Sequence, residues 1–348
     1  MQAALRPMNL GEILDRMFEI YRKQFLLFAG IAALPAAAML GIHLVDIAWV
    51  HSSSLVHPFR QPGIVLWRFA VGLGYYHISF FLQFLYLPAF VRAVSCDVFG
   101  DRTTIVASLR FAIARWRGYL WLAVLKLAAV LIVPEVLMFA VFWGIGTLED
   151  KLGLLNDTPS AFAIVALLSP ILAGTALFLW AGACFSLVFP AAVAERLTGF
   201  KALSRSWRLS RNSRWRIFIT WLLIAVCSWV LSAAVSSLLR WVAYFCYYDW
   251  HLYWFNLILS QQLTYILFAA ISIVIGPLYP IAVTLLYYDQ RSRKEGFDVE
   301  LMMEAAGLGN GESGAIPLLR GGGEEFEGAV EPLWTRTVKF VRSLRGFD

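Results

Sequence analysis

Six ionisable side chains stand inside long apolar runs: His43, Asp46, Arg68, His77, Lys126 and Glu135. A charge at membrane depth is costly, so such a residue is a candidate working group by default. Imidazoles, carboxylates and a guanidinium in this setting could relay protons, pair as ions or hold a charged solute. A polar vestibule open to the outside would account for His43, Asp46, Arg68, His77 and Glu135 together. A transport or metal site is the sharper alternative. Glu135 follows Gly118 by 17 residues and His77 precedes Ser95 by 18. On adjacent antiparallel helices those offsets, about 26 and 27 Å, bring the two side chains to one level. A carboxylate is tolerable there if it faces the bundle interior and pairs with the imidazole, so Glu135 is expected beside His77. Lys126 lies seven residues past Tyr119, about 10 Å along a helix, close enough for its stem to snorkel to the inner surface.

Other chemistry is missing from the sequence. No nucleotide-binding loop, GxSxG, HExxH or kinase signature occurs. The run Gly321-Gly322-Gly323 sits among glutamates that would repel a phosphate, and reads as linker. Five histidines are too few and scattered for a metal site, and four cysteines (Cys96, Cys184, Cys227, Cys246) show no paired spacing. The expectation is a non-enzymatic protein with no cofactor and no metal.

The elements that must position these side chains follow from composition. Apolar residues make up 60% of the 348-residue chain and charged ones 15%. Soluble domains hold roughly 45–50% and about 25%, so the solvent here must be lipid. About twenty apolar residues cross a bilayer core, which places candidate spans at 24–47, 66–94, 119–147, 162–194, 217–239 and 264–287. The expected fold is all-α, a polytopic bundle of six transmembrane helices over 1–288, with seven spans as the rival count.

The net charge of +6 is concentrated in particular loops, which makes it a topology signal and argues against nucleic acid as a partner. Arg92, Arg102, Arg110, Arg115 and Arg117 lie between the second and third spans. Arg196, Lys201, Arg205, Arg208, Arg211, Arg214 and Arg216 lie between the fourth and fifth, whereas 148–159 carries Lys151 alone. Cationic loops stay inside, so a multi-pass protein with both termini cytoplasmic is expected. Glu12, Asp15 and Glu19 precede the first apolar run, which does not suit a cleavable signal.

Two markers recur three times. Phe18, Ile20 and Arg22 match Phe111, Ile113 and Arg115, and then Trp207, Leu209 and Arg211, always at i, i+2 and i+4. Pro88-Ala89-Phe90-Val91, Pro190-Ala191-Ala192-Val193 and Pro280-Ile281-Ala282-Val283 recur near the ends of apolar runs. Together they predict three repeats of an amphipathic helix followed by two spans. The amphipathic segments 9–23, 101–116 and 199–214 are expected to lie on the cytoplasmic interface. Ile105, Leu109, Ala112 and Trp116 would form one apolar face, while Arg22, Arg115 and Arg211 would reach lipid phosphates.

On the opposite side, nine aromatic residues between Trp241 and Phe255 suit an interfacial belt lying flat at headgroup depth, or a carbohydrate platform. The cytoplasmic tail 289–348 is expected to hold a flexible acidic linker over 304–332. Arg336, Lys339, Arg342 and Arg345 with Trp334, Val338 and Val341 then form either a short basic amphipathic helix or a solvated end.

The opening Leu5-Arg6-Pro7-Met8-Asn9-Leu10-Gly11-Glu12-Ile13-Leu14-Asp15-Arg16, with Tyr21-Arg22 and Phe25, resembles the N-terminal signature of a group of uncharacterised bacterial integral membrane proteins. That group is similar to the membrane domain attached to some glycerophosphoryl diester phosphodiesterases. Tyr287-Tyr288-Asp289-Gln290-Arg291-Ser292-Arg293-Lys294-Glu295-Gly296-Phe297-Asp298 resembles its closing signature, so the resemblance covers roughly residues 5–301. It implies a bacterial inner-membrane location and a non-catalytic role. Phosphodiester cleavage in that group belongs to a separate barrel, and 289–348 is far shorter than the about 250 residues a barrel needs. Two functions remain in view. One is an accessory or scaffolding protein that contacts lipid headgroups, a membrane protein or a cytoplasmic partner at the inner face. The other is a transporter of a lipid or small solute through the vestibule.

Overall fold

Inside lipid a chain must satisfy its own backbone hydrogen bonds, and helices do so locally. The computed structural model describes residues 7–54, 72–74, 77–79, 81–82, 86–152, 161–248 and 260–305, with no strand among them. The helices are α1 (Leu10–Lys23), α2 (Phe25–Ser54), α3 (Leu87–Phe99), α4 (Ile105–Ala114) and α5 (Trp116–Leu127). A π-helical segment, Ala128–Ile132, joins α5 to α6 (Val133–Leu152). There follow α7 (Ala161–Cys184), α8 (Val188–Ala194), α9 (Gly199–Ser210), α10 (Arg214–Tyr248), α11 (Ser260–Ile275), α12 (Leu278–Glu295) and α13 (Phe297–Ala305).

Five helical stretches among the described residues are long and apolar enough to cross a bilayer: Phe25–Leu44, Trp116–Ile145, Leu168–Ala194, Arg214–Phe245 and Tyr265–Glu295. The span expected at 66–94 is described in part: residues 72–74, 77–79 and 81–82 are helical, and 86–94 enter α3. The aromatic stretch expected to lie flat is, as far as Tyr248, the continuation of α10, a 35-residue helix. Trp241, Tyr244 and Phe245 project from it, exposed, and 249–255 lies outside the described residues.

Proline explains how two long runs end. Each marker proline occupies the first turn of a helix, where its missing N–H costs nothing. α7 stops at Cys184 and α8 restarts through Pro190; α11 stops at Ile275 and α12 restarts through Pro280. At the second break a Cβ on Gly276 would lie 2.3 Å from the Ser272 carbonyl oxygen, so the chain turns on glycine. The three restarted helices, α3, α8 and α12, bury their markers in one core: Val91, Val193 and Val283 are all under 5% exposed. The other marker is uneven, because Ile20 and Leu209 are buried while Ile113 is 66% exposed.

The amphipathic segments close this core. Asn9 caps α1, accepting from the Glu12 N–H at 2.8 Å while its own N–H donates to Glu12 Oε2 at 2.8 Å. α1 buries Ile13, Met17 and Ile20, and α9 buries Ala202 and Leu209. In α4, Ile105, Leu109 and Ala112 share a face, and that face packs on the core. Trp116 departs from that face: the helix breaks at Arg115, and Trp116 begins α5, half exposed. All three apolar faces therefore grip protein.

α12 runs through residue 288, where the membrane domain was expected to end, and Asp289, Gln290 and Phe297 are buried. Asp289 is the knot. Its carboxylate accepts from the Met8 N–H at 2.8 Å, Arg216 Nη1 at 2.8 Å, Arg293 Nε at 3.1 Å and Gln290 Nε2 at 3.0 Å. Arg216 and Arg293 also donate to the Met8 carbonyl, at 2.7 and 2.6 Å. Removing the carboxylate strands a backbone N–H and weakens two arginine contacts. Asp289→Ala is expected to cost roughly 1–3 kcal/mol, and Asp289→Asn less. Thermal unfolding of the detergent-solubilised variants checks the order; an Asp289→Ala protein melting with the parent would refute it.

Candidate functional site

Above the buried core, a cavity of about 530 Å³ opens between α5, α7, α10 and α11. Tyr86, Leu87, Ala183, Ser186, Tyr279 and Pro280 form its floor, and Phe178, Trp221, Ile224, Phe268 and Ile271 form its walls. Lys126, in the last turn of α5 before the π segment, lines it and is 2% exposed. Its ammonium sits 5.5 Å from the centroid of the Phe189 ring in α8. The stem therefore does not reach the inner surface, as snorkelling would require; α8 covers it. A π segment in a helix often marks a functional position, and here it follows the buried cation.

The expected pair of Glu135 and His77 is present. His77 Nε2 lies 2.8 Å from Glu135 Oε2, with both side chains about a quarter exposed. The other ring nitrogen, Nδ1, is 2.7 Å from the Leu73 carbonyl. A carbonyl only accepts, so Nδ1 carries its hydrogen. One further proton must then lie between Nε2 and Oε2, held either by the ring or by the acid. The pair is thus a one-proton site.

The His43 ring stacks on Tyr265 at 4.1 Å and lines a smaller cavity of about 260 Å³ together with Ser79. The two cavities share Tyr86, Phe268, Ser272 and Gly276 as a common wall. Asp46 falls in α2, but its side chain is outside the described residues, as is the whole of Arg68. Arg22, Arg115 and Arg211 are all exposed, at or just beyond the ends of α1, α4 and α9. Among the described residues no group of three or more His, Cys, Asp or Glu side chains could hold a metal.

Sequence reasoning missed the ties beneath the cavity. Arg205 donates to both oxygens of Glu195 at 2.9 and 2.8 Å and reaches Glu295 with its other nitrogens. Burial opposes the charge of this guanidinium, but the two carboxylates outweigh it and raise its pKa above the usual arginine value. Tyr287 donates to Glu195 at 2.7 Å and Tyr288 to Ser95 at 2.8 Å. The only sequence hint was the Tyr-Tyr-Asp run beside a positive loop. Comparisons with protein-family models, curated proteins and solved structures find no match to this chain.

A double-mutant cycle tests the one-proton site. His77→Ala and Glu135→Ala should each destabilise, with a coupling energy of about 0.5–3 kcal/mol between them. Additive losses in thermal or denaturant unfolding would mean that the two side chains do not interact in the folded protein.

Proposed function

We propose that this chain is a non-enzymatic accessory protein of the bacterial inner membrane, whose cytoplasmic face contacts anionic lipid headgroups and a protein partner. Six spans built from three repeats, with both termini inside, is the topology this reading uses. It also keeps the kinship with the membrane domain of some glycerophosphoryl diester phosphodiesterases. The observation that carries it is the outer surface of the amphipathic helices. Their apolar faces are taken up by the core, yet Phe18, Val106, Ile113, Trp116, Phe200 and Trp215 remain exposed beside Arg22, Arg115 and Arg211. Exposed aromatics interleaved with arginines suit the headgroup layer, each arginine contributing about 1 kcal/mol near an anionic surface. The exposed rings would sit at the acyl boundary while the guanidinium groups reach outward.

Transport is the second reading, favoured by the one-proton site of His77 and Glu135. It stays second because parallel repeats differ from the inverted repeats of many transporters.

Reporter fusions at Asn156 and Asp348 should give opposite compartments, and the same compartment for both would overturn the topology. In nanodiscs of mixed lipid, native mass spectrometry should find anionic phosphatidylglycerol enriched around the protein over phosphatidylcholine. Replacing Arg22, Arg115 and Arg211 together with glutamine should abolish that enrichment. An unchanged lipid shell would leave these helices as purely structural links between spans.

A further inference from the structure

We propose that the central cavity binds a single-chain anionic amphiphile, with its acidic head beside Lys126 and its hydrocarbon chain between α7, α10 and α11. The site is separate from the exposed arginines and stands whether or not those contact headgroups.

Three observations lead there. The first is size: about 530 Å³ falls within the roughly 300–1,000 Å³ of ordinary small-molecule sites. That is room for one chain, and too little for both chains of a bilayer phospholipid.

The second is the distribution of polarity. Lys126 is the one charged side chain among the described residues lining the cavity, and it sits at the floor, against Phe189. Two of the lining hydroxyls already donate to nearby carbonyls of their own segments, Ser186 to the Ala183 carbonyl at 3.0 Å and Ser272 to the Phe268 carbonyl at 2.8 Å. They offer no hydrogen to a ligand. The other lining hydroxyls are those of Tyr86, Tyr279, Ser228 and Ser232, and the rest of the lining is aromatic and aliphatic, which suits a hydrocarbon chain with one acidic head. An acidic head beside Lys126 favours the charged form of the amine, and the resulting pair attracts more strongly in this low-dielectric space than it would in water.

The third is access. Trp221 lines the cavity and is 36% exposed, so it stands at the rim. A ligand dissolved in the bilayer can enter sideways, head toward the core and chain along α10. Its orientation then matches that of a lipid in the leaflet on the side of the buried core.

The test uses the full chain in phosphatidylcholine nanodiscs, with hexadecanoate, hexadecyl phosphate and hexadecanol as probes of equal chain length and retention read by native mass spectrometry. Both anions, or one of them, should be held about tenfold or more tightly than the alcohol. Whichever anion is preferred identifies the head as carboxylate or phosphate. Lys126→Met should bring anion retention down to the level of hexadecanol while leaving hexadecanol unchanged. Ala225→Trp, which fills the cavity from α10, should exclude all three probes with the unfolding temperature maintained. Should Lys126→Met fail to assemble, the acid-to-alcohol ratio of the parent and the Ala225→Trp variant decide the matter. Equal retention of acid and alcohol by the parent, undiminished anion binding in Lys126→Met, or probe binding to Ala225→Trp each overturns the proposal.

Discussion

A carboxylate without solvent organises the base of this bundle. Asp289 is 1% exposed and yet carries formal charge, which is tolerable only because donors surround it on every side. Those donors come from three distant parts of the chain: the backbone before α1, the start of α10, and α12 itself. Once Met8 is held there, α1 must lie across α12, and its buried face meets the core that α3, α8 and α12 have already formed. The charge therefore fastens the backbone before α1 to α10 and α12.

Burial of polar groups in this layer continues the same logic. Glu195 receives Arg205 and Tyr287, and Asp97 receives Lys23 and Gln24. Lys294 donates to the carbonyls of Arg208 and Leu209 at 3.1 and 2.8 Å, satisfying oxygens at the end of α9 that its own helix leaves open. The bundle thus has a densely tied base and a looser apolar body. A cavity is easier to keep open in the body when the base fixes where its helices begin.

Composition made the all-helical class with its long apolar helices legible, and helix arithmetic placed Glu135 level with His77. Those signals are local or periodic, so a single sequence carries them. The proline markers stood out in the sequence but not as helix restarts, because a broken helix and a kinked one have the same hydropathy. Lys126 was misplaced for a related reason. Distance along the axis suggested an escape to the surface, but whether α8 would cover that route depends on the turn at 185–187, which hydropathy does not reveal. The Asp289 knot was invisible, since two of its partners lie 73 and 281 residues away and the local ones, Gln290 and Arg293, do not point to them.

The π segment between α5 and α6 sets the angular phase of everything beyond it. Lys126 and Glu135 are nine residues apart, and in an uninterrupted α-helix that separation would point them about 180° from one another. Absorbing one extra residue in Ala128–Ile132 removes about 100° of rotation, leaving the two side chains about 80° apart. A single span can then turn one ionisable group toward the central cavity and another toward His77, instead of committing one of them to lipid. The chain fits two polar sites onto one helix by miscounting a turn between them.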